Sequence, residues 1–316
     1  MILDRLISKW SLRRKRPGFR SPLGGLWTDR TDVTERLAAG RFDAEQQVLL
    51  KAWVERGFVI LRGAVEPGLV DQIRAEVDAA WSAHDPRLLV ELDGVRSGLE
   101  PALRARHYKL LDQYVFSKSA LTAAFAPKLQ EFLQLVFERD TLLFQGLTFE
   151  RGSGDPIHQD TSSVVVTSPL EFAAAWIALE DIVPGSGELE YYPGSHRMEP
   201  FYFGGKYRNW NRERDGEALR DEYLESLHTK ARAMGLARES FLPSKGDVLV
   251  WSADLAHGGS PVRDGGLTRA SLVCHYCPRD VRPYYFSYRP KQRNVEQFAP
   301  HCFYSSSHYE LPAPLT

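Results

Sequence analysis

The chain has 316 residues, enough to bury one large core, and its charge is nearly balanced, with 40 Lys and Arg against 41 Asp and Glu. That balance gives no sign of a polyanion-binding surface, so we expect no nucleic-acid partner. The three cysteines are too few, and odd in number, for a disulfide scaffold, which favours a reducing cytoplasm. Cys274 and Cys277 form a single C-x-x-C pair, which we interpret as buried thiols and not as a zinc site.

Residues 1–20 differ in character from the rest of the chain. Apolar residues from Ile2 to Trp10 recur at helical spacing and are followed by the basic run Arg13 to Arg16. The segment is too short and too charged to span a bilayer, and the basic run lies on the wrong side of it for a secretory signal. We favour a short helix docked on the domain; peripheral membrane contact through residues 1–16 is the alternative. Residues 21–316 are predicted to form one domain.

The first half of that domain is predicted to be mainly helical. Residues 21–42 and 84–104 are polar or rich in turn formers, which favours irregular structure. Lys109 leads toward a helical region. The elements predicted from apolar spacing and end signals are a helix Ala44–Arg56 capped by Gly57, a strand Phe58–Leu61, a helix Pro67–Ala83 and a helix Ala120–Phe137.

The second half alternates strands with turns. The predicted strands are Thr141–Arg151, Phe172–Glu180, Glu188–Tyr192, Val248–Trp251 and Arg269–Cys274. Residues 198–240 form a long insertion with a helix at Asp215–Met234, and it acts either as a lid with a substrate wall or as a structural cover. The stretch from Pro278 to Thr316 shows little secondary structure. Its aromatic run Tyr284–Tyr288 packs across the domain or makes an oligomer contact, and the oligomeric state stays open.

A candidate metal site begins at His158-Gln159-Asp160, just after a run of turn formers. The β-branched segment Thr161–Thr167 is predicted to continue as a strand, and alternate residues of a strand face the same side. His158 and Asp160 would then point together while Gln159 points away. An imidazole beside a carboxylate supplies two thirds of the 2-His-1-carboxylate triad that leaves open positions on a non-haem Fe(II).

Two histidines compete for the third position. His257 follows the turn and strand Lys245–Trp251 and precedes Arg269, whereas His196 follows a turn only 36 residues after Asp160. We favour His257, because Arg269 offers a planar fork for a carboxylate. A metal site with a nearby arginine suits an acid that chelates iron at one end and pairs with arginine at the other, as 2-oxoglutarate does.

Several motifs occur together in a characteristic order: His158-Gln159-Asp160, Trp176 to Asp181, Pro193-Gly194-Ser195-His196, Gly246-Asp247, His257-Gly258-Gly259 and Arg269. In this set, over roughly residues 45 to 290, the chain resembles the phytanoyl-CoA dioxygenase family. The resemblance implies a mainly β fold with an α layer: a double-stranded β-helix, or jelly roll, of cupin-like type, backed by N-terminal helices.

The resemblance also implies a set of ligands. His158, Asp160 and His257 would hold Fe(II), and Arg269 with Ser260 would hold the distal carboxylate of 2-oxoglutarate. The cleft beside the cosubstrate would be lined by Trp176, Gln145 and Lys109; a polar strand face explains Gln145 equally well, and a solvated side chain explains Lys109 at least as well. O2 is the second cosubstrate, ascorbate an optional stimulant, and the substrate a small-molecule metabolite that is hydroxylated as succinate and CO2 are released.

Two features of the sequence, an extra glycine and a retained carboxylate, bear on this interpretation. Family members often have His-Gly-Ser at the distal ligand, but this chain has an extra glycine before Ser260, which shifts Ser260 and Arg269 by one. Relatives that halogenate replace the carboxylate ligand by a small residue, so Asp160 favours hydroxylation, with desaturation, ring formation and epimerisation open. The rival hypotheses are a metal-dependent cupin-like isomerase or hydrolase without 2-oxoglutarate, and a barrel that binds a metabolite without turnover.

Overall fold

The structure is a computed structural model that describes residues 18–283 and 294–305. The predictions for residues 1–17 and for the aromatic run Tyr284–Tyr288 lie outside the described residues. The α-helices are α1 Val33–Ala38, α2 Ala44–Arg56, α3 Pro67–Ala83, α4 Lys118–Ala124, α5 Pro127–Phe137 and α6 Arg212–Ala233. The strands are β1 Phe58–Leu61, β2 Leu89–Leu92, β3 Val95–Ser97, β4 Lys109–Leu111, β5 Thr141–Phe149, β6 Ala173–Ala178, β7 Leu189–Tyr191, β8 Glu239–Phe241, β9 Val248–Ser252, β10 His257–Gly259, β11 Ser271–Pro278, β12 Val295–Phe298 and β13 His301–Tyr304. Within the described ranges, no helix is both long and apolar enough to cross a membrane.

Two sheets face each other and make up the predicted jelly roll. The larger has the order β1-β9-β6-β11-β5-β4-β2-β3, and β13 adds to β5 in parallel and pairs with β12. The smaller has the order β10-β7-β8. All other ladders are antiparallel. Antiparallel sheets packed face to face bury the inward side chains of each strand, so this arrangement confirms the mainly β fold backed by helices.

Alternate residues of β6 face opposite layers of the molecule. Ala174, Trp176 and Ala178 join the apolar cluster between the two sheets. Ala175 and Ile177 join the cluster behind the larger sheet, where α2 and α5 pack. This period-two division explains why the strand is apolar throughout, since both of its faces are buried.

The N-terminal helices begin and end where local signals place them. The Asp43 carboxylate accepts a hydrogen bond from the backbone N–H of Gln46, and the Gln46 side-chain oxygen accepts one from the backbone N–H of Asp43. This pair of bonds is a capping box, and it fixes the start of α2. Gly57 ends α2 in the left-handed region, at φ 82°. An added Cβ there would meet the ring of His196 at 2.4 Å, so this position requires glycine for both conformation and space.

Four expectations for local structure are wrong. The helix predicted over Ala120–Phe137 is two helices, because Ala126 precedes Pro127 and takes an extended ψ of 136°. The stretch 84–104 contains the hairpin β2–β3, turned by Asp93 and Gly94 with φ of 52° and 78°. Residues 21–42 contain the helix α1, and the C-terminal stretch contains the hairpin β12–β13. Lys109 lies in the strand β4, which leads into the helices α4 and α5 as predicted.

The strand predicted over Thr161–Thr167 is also wrong. Asp160 opens a short 3-10 turn, and Ser163 and Val164 both donate their backbone N–H groups to its carbonyl. Val164 and Val166 are buried in an apolar cluster without joining a ladder, apart from a single bridge from Val166 to Pro283. β-branched residues are favoured where side chains are packed. The valines of this segment therefore indicated burial and not strand pairing.

Candidate metal centre and cosubstrate cavity

The two histidines of the candidate triad are brought together by the backbone. His158 and His257 form an isolated antiparallel bridge, in which each N–H donates to the other carbonyl, at 2.8 and 2.9 Å. Their rings lie 4.7 Å apart between centroids. Asp160 follows two residues after His158, and one ligand atom from each of the three residues can be chosen so that all lie within 4.8 Å of one another.

Hydrogen bonds set the tautomer of both imidazoles. Nδ1 of His158 donates to the Pro156 carbonyl at 2.8 Å, and Nδ1 of His257 donates to the Leu255 carbonyl at 2.9 Å. The Nε2 lone pairs are therefore left facing the shared space. Burial lowers the pKa of His257 to about 4, so its ring is neutral at physiological pH, as a metal ligand must be.

Asp160 is buried and ionised. Burial alone would raise the pKa of this carboxyl, but His257, His275 and His158 outweigh it and hold the pKa well below its usual range. Oδ1 faces the two candidate ligands, 3.8 Å from Nε2 of His158 and 3.6 Å from Nε2 of His257. Two imidazoles and one carboxylate on one side of an open space fit a non-haem Fe(II) centre.

The other carboxylate oxygen, Oδ2, contacts a different pair of side chains. Oδ2 of Asp160 accepts a hydrogen bond from Nε1 of Trp251 at 2.8 Å. Nε2 of His275 lies 3.5 Å from the same oxygen, within reach of an ionic contact but without the alignment of a hydrogen bond. The two oxygens of this carboxylate therefore have different surroundings.

A cavity of about 240 Å³ opens on the triad and has Arg269 in its wall. Arg269 is 2% exposed, and its guanidinium carbon lies 5.3 Å from the ring of Phe149 and 5.7 Å from that of Trp176. Within the described residues 18–283 and 294–305, its Nε has no hydrogen-bond partner. Burial lowers the pKa of Arg269 to about 10, so the side chain stays charged at neutral pH. A buried cation with an unused donor is poised for an anion, and the distal carboxylate of 2-oxoglutarate fits this requirement.

Further unpartnered polar atoms face the same cavity. Gln145 is fully buried, and neither its amide oxygen nor its nitrogen has a hydrogen-bond partner. His275 lies opposite Gln145 in the β11–β5 register, and both of its ring nitrogens lack hydrogen bonds. Nε1 of Trp176 is likewise unpartnered. Buried polar groups are rarely left unsatisfied, so a cluster of them around one cavity marks a place where a polar ligand binds.

Of the two remaining candidates for cosubstrate contact, Lys109 lines the cavity and Ser260 does not. Lys109 lines the cavity, with Nζ 3.3 Å from the Asp155 carboxylate, so the amine already has a partner. Ser260 is buried with a free hydroxyl, but it is not among the residues that line the cavity; Gly258 and Gly259 form the wall there. The extra glycine therefore occupies the place in which the family pattern puts serine.

His196 lies away from this cavity, in a 3-10 turn against α2. Its Nε2 is 3.2 Å from the Val54 carbonyl, and burial lowers its pKa to about 4. The ring fills the space that Gly57 leaves open. His196 is therefore a packed core histidine in this fold, and the structure does not bring it to the triad.

The insertion between β7 and β8 contacts both ligand-bearing segments. Arg208 and Asp254 form a buried ion pair at 2.6 Å, and Arg208 also donates to Oγ1 of Thr161 at 2.7 Å. The side-chain amide of Gln159 donates to the Asp254 carbonyl at 2.7 Å, and the backbone N–H of Gln159 donates to the Tyr223 hydroxyl of α6 at 2.8 Å. These bonds join the segments that carry His158, Asp160 and His257 to one another through the insertion.

Two neighbours of Asp160 were not predicted as site residues. Trp251 was predicted only as the last residue of an apolar strand, and His275 lies just beyond the predicted strand Arg269–Cys274. The available signal was period two: β9 pairs with β6 so that Leu249 lies beside Trp176, which puts Trp251 on the same face toward the cavity. Using that signal requires the register between strands, which the sequence alone does not supply.

The fold and site together define a double-stranded β-helix with an open 2-His-1-carboxylate centre and a buried arginine. Residues 53–270, well over half of the chain, match the family model described as phytanoyl-CoA dioxygenase (PhyH). The chain therefore belongs to the phytanoyl-CoA dioxygenase family, as its motifs predict. It is an Fe(II)- and 2-oxoglutarate-dependent oxygenase by class.

Solved structures resemble it in fold at low identity. The non-heme α-ketoglutarate-dependent epimerase SnoN from nogalamycin biosynthesis, in a complex with Fe3+, α-ketoglutarate and nogalamycin RO, is 17% identical, with a TM-score of 0.58 over 86% of this chain and 96% of that one. The carbocyclase SnoK from the same biosynthesis is 15% identical, with a TM-score of 0.55 over 76% and 86%. EctD from S. alaskensis, in its apoform, is 17% identical, with a TM-score of 0.53 over 75% and 77%. No protein of curated function matches the sequence.

Proposed function

We propose that this oxygenase hydroxylates a small organic molecule, using His158, Asp160 and His257 as its iron ligands and Arg269 as the anchor for 2-oxoglutarate. One observation carries the proposal. A buried arginine with an unused donor lies in the wall of the same 240 Å³ cavity that the triad faces. A metal-dependent isomerase or hydrolase would use the triad but would leave Arg269 without an anion.

The protein's part in the reaction is to bind, orient and exclude water. The iron, when bound with 2-oxoglutarate, would supply the activation of O2 coupled to oxidative decarboxylation of the cosubstrate. Nε2 of His158, Nε2 of His257 and Oδ1 of Asp160 would occupy one side of the metal and leave the other open. Arg269 would pair with the distal carboxylate through two parallel hydrogen bonds, and Trp176 would form a flat wall beside it.

Other polar groups of the cavity complete the cosubstrate site in this proposal. Gln145 can donate to one ligand oxygen and accept from another group, and both of its polar atoms are free to do so. Lys109 would contribute positive charge at the cavity edge, weakened by its contact with Asp155. Ser260 would need a local shift to reach the cosubstrate, so it is the least supported member of the set.

The substrate is proposed to enter beside His158, on the side of the insertion. A second cavity of about 200 Å³ shares Lys109, Asp155, His158 and Ser163 with the first. Its outer wall comes from the insertion, through Trp210, Arg220, Tyr223 and Leu224. Residues 198–240 would thus act as a substrate wall within the single domain 21–316, and not only as a cover.

The reaction type is proposed from the triad. SnoN is described as an epimerase and SnoK as a carbocyclase, so one fold accommodates more than one outcome. Asp160 retains the carboxylate that halogenating relatives lack, which favours hydroxylation for this chain. A cytoplasmic location is part of the proposal and is supported by three buried, free cysteines.

Succinate formation tests the function. Purified protein is incubated with Fe(II), ascorbate, O2 and 2-oxoglutarate, alone and with pooled candidate metabolites, and succinate is measured. We expect 2-oxoglutarate turnover that a substrate stimulates and that His257→Ala abolishes. Product formation without succinate would favour the isomerase or hydrolase, and metal binding without any turnover would favour a non-catalytic barrel.

A further inference from the structure

Trp251 is a core tryptophan whose indole N–H donates a hydrogen bond to a candidate metal ligand, Asp160. It lies in β9, between β1 and β6 of the larger sheet, opposite Phe58 on one side and Ala174 on the other. It is 2% exposed, and its ring lies 4.6 Å from that of His257. A side chain held in the middle of a ladder and packed on both faces presents its N–H in a fixed direction.

The N–H of Trp251 distinguishes the two oxygens of Asp160. It donates to Oδ2 at 2.8 Å, while Oδ1 is the oxygen that faces the Nε2 atoms of His158 and His257. Rotation of the carboxylate would break a charge-assisted hydrogen bond inside a dry core. Only one oxygen is therefore directed toward the metal position.

The number of oxygens that bind decides how many positions stay open. Three protein ligands on an octahedral ion leave three positions, which suffice for a chelating 2-oxo acid and O2. A carboxylate that turned both oxygens to the metal would take one of the three. We propose that Trp251 is a positioning residue that holds Asp160 as a one-oxygen ligand and so keeps the last position free. This inference rests on the proposed assignment of Asp160 as an iron ligand.

Trp251→Phe removes the donor and keeps an aromatic ring against His257. Trp53→Phe is the matched control, since Trp53 is also 2% exposed and its Nε1 donates to Thr28 at 3.1 Å, in the helical layer away from the cavity. Both changes delete a buried indole hydrogen bond and some ring volume. Their effects on thermal unfolding of the metal-free protein should be similar, so any further difference belongs to the metal site.

Two binding measurements under anaerobic conditions test the inference. The first is Fe(II) affinity by competition with a chelator, and the second is 2-oxoglutarate affinity of the Fe(II)-loaded protein by the visible absorption that a chelating 2-oxo acid produces. Loss of an outer partner of a ligand costs about 10- to 100-fold in metal affinity, so we expect that loss in Trp251→Phe, together with weaker 2-oxoglutarate binding. Trp53→Phe should match the wild type in both.

The outcomes separate the possible roles. If Trp251→Phe binds Fe(II) and 2-oxoglutarate like the wild type and differs only in unfolding temperature, then Trp251 is a packing residue and the inference is overturned. If Trp251→Phe does not fold, 3-benzothienylalanine at position 251 replaces the N–H by sulfur with the ring shape kept, and the same two affinities decide. A wild type that binds Fe(II) but never 2-oxoglutarate overturns the proposed function, while the Fe(II) comparison still decides the role of Trp251. A wild type that binds no Fe(II) overturns both.

Discussion

Replacing Arg269 by lysine should weaken 2-oxoglutarate binding in a way that depends on pH. Lysine keeps a positive charge but loses the planar fork, and one charge-assisted hydrogen bond contributes about 1.5–3 kcal/mol. Since about 1.4 kcal/mol corresponds to tenfold, the Michaelis constant for 2-oxoglutarate should rise about ten- to a hundredfold. The affinity for Fe(II) should change little, because Arg269 pairs with neither histidine nor Asp160.

The pH dependence follows from the same burial. Burial lowers the pKa of Arg269 to about 10, which leaves the wild type charged throughout the neutral range. The same burial would lower the pKa of a lysine at this position, and lysine starts from a lower reference pKa than arginine. The variant should therefore lose cosubstrate affinity further as the pH rises above neutral, whereas the wild type should not.

The assay is succinate formation against 2-oxoglutarate concentration, repeated between about pH 6 and pH 9. Arg279→Lys is the matched control, since Arg279 directly follows β11 and its side chain is half exposed. We expect the control to keep the wild-type Michaelis constant at each pH. An unchanged Michaelis constant in Arg269→Lys would mean that 2-oxoglutarate is held elsewhere, and a loss without pH dependence would contradict the argument from burial.

Four further results are expected. His158→Ala and His257→Ala should abolish Fe(II) binding while His196→Ala retains it, by equilibrium titration; equal loss in all three would overturn the ligand assignment. Removal of residues 1–16 should leave an active, folded enzyme, and a truncated protein that misfolds would show that the segment is structural. Arg208→Met should lower the free energy of unfolding by about 3–5 kcal/mol, because it strands a buried carboxylate; denaturant unfolding near the wild-type midpoint would refute this. The free energy of unfolding of the metal-free protein should fall as the pH drops from about 6.5 to 4. In the folded protein His196 and His257 each have a pKa of about 4, so over this range the unfolded chain binds protons that the folded chain does not. A free energy of unfolding that does not change with pH in that window would contradict this.

Local signals predicted those elements whose ends are set by single residues. Asp43 and Gly57 bound α2, and Pro67 opens α3, so their limits could be predicted without knowing what the helices pack against. The same signals were available at Pro127 and at Asp93-Gly94, where a helix break and a hairpin turn occur. The helix break was missed because apolar spacing was given more weight than the proline, and the hairpin was missed because its polar residues were taken to indicate irregular structure.

For the candidate site, the sequence predicted the main residues but not their neighbours. The identities of His158, Asp160, His257 and Arg269 follow from their order and spacing, and the structure gathers all four around one cavity. The surroundings of Asp160 do not follow, because the contact with Trp251 joins a 3-10 turn to a strand that is distant in sequence. Pairing partners and register are decided by the packing of two sheets, and no local pattern encodes them.

The buried pair of Arg208 and Asp254 bears on how this enzyme could be re-engineered. Insertions between barrel strands are attractive units to exchange when a new substrate is wanted, since they shape the entrance and tolerate variation. Here the insertion supplies the cation that Asp254 needs, and Thr161 shares that contact beside the candidate metal ligands. A transplanted loop without an arginine in this place would leave a charge stranded next to His257's segment. Any library that alters the entrance should therefore hold Arg208 fixed and vary Trp210, Arg220 and Leu224 instead.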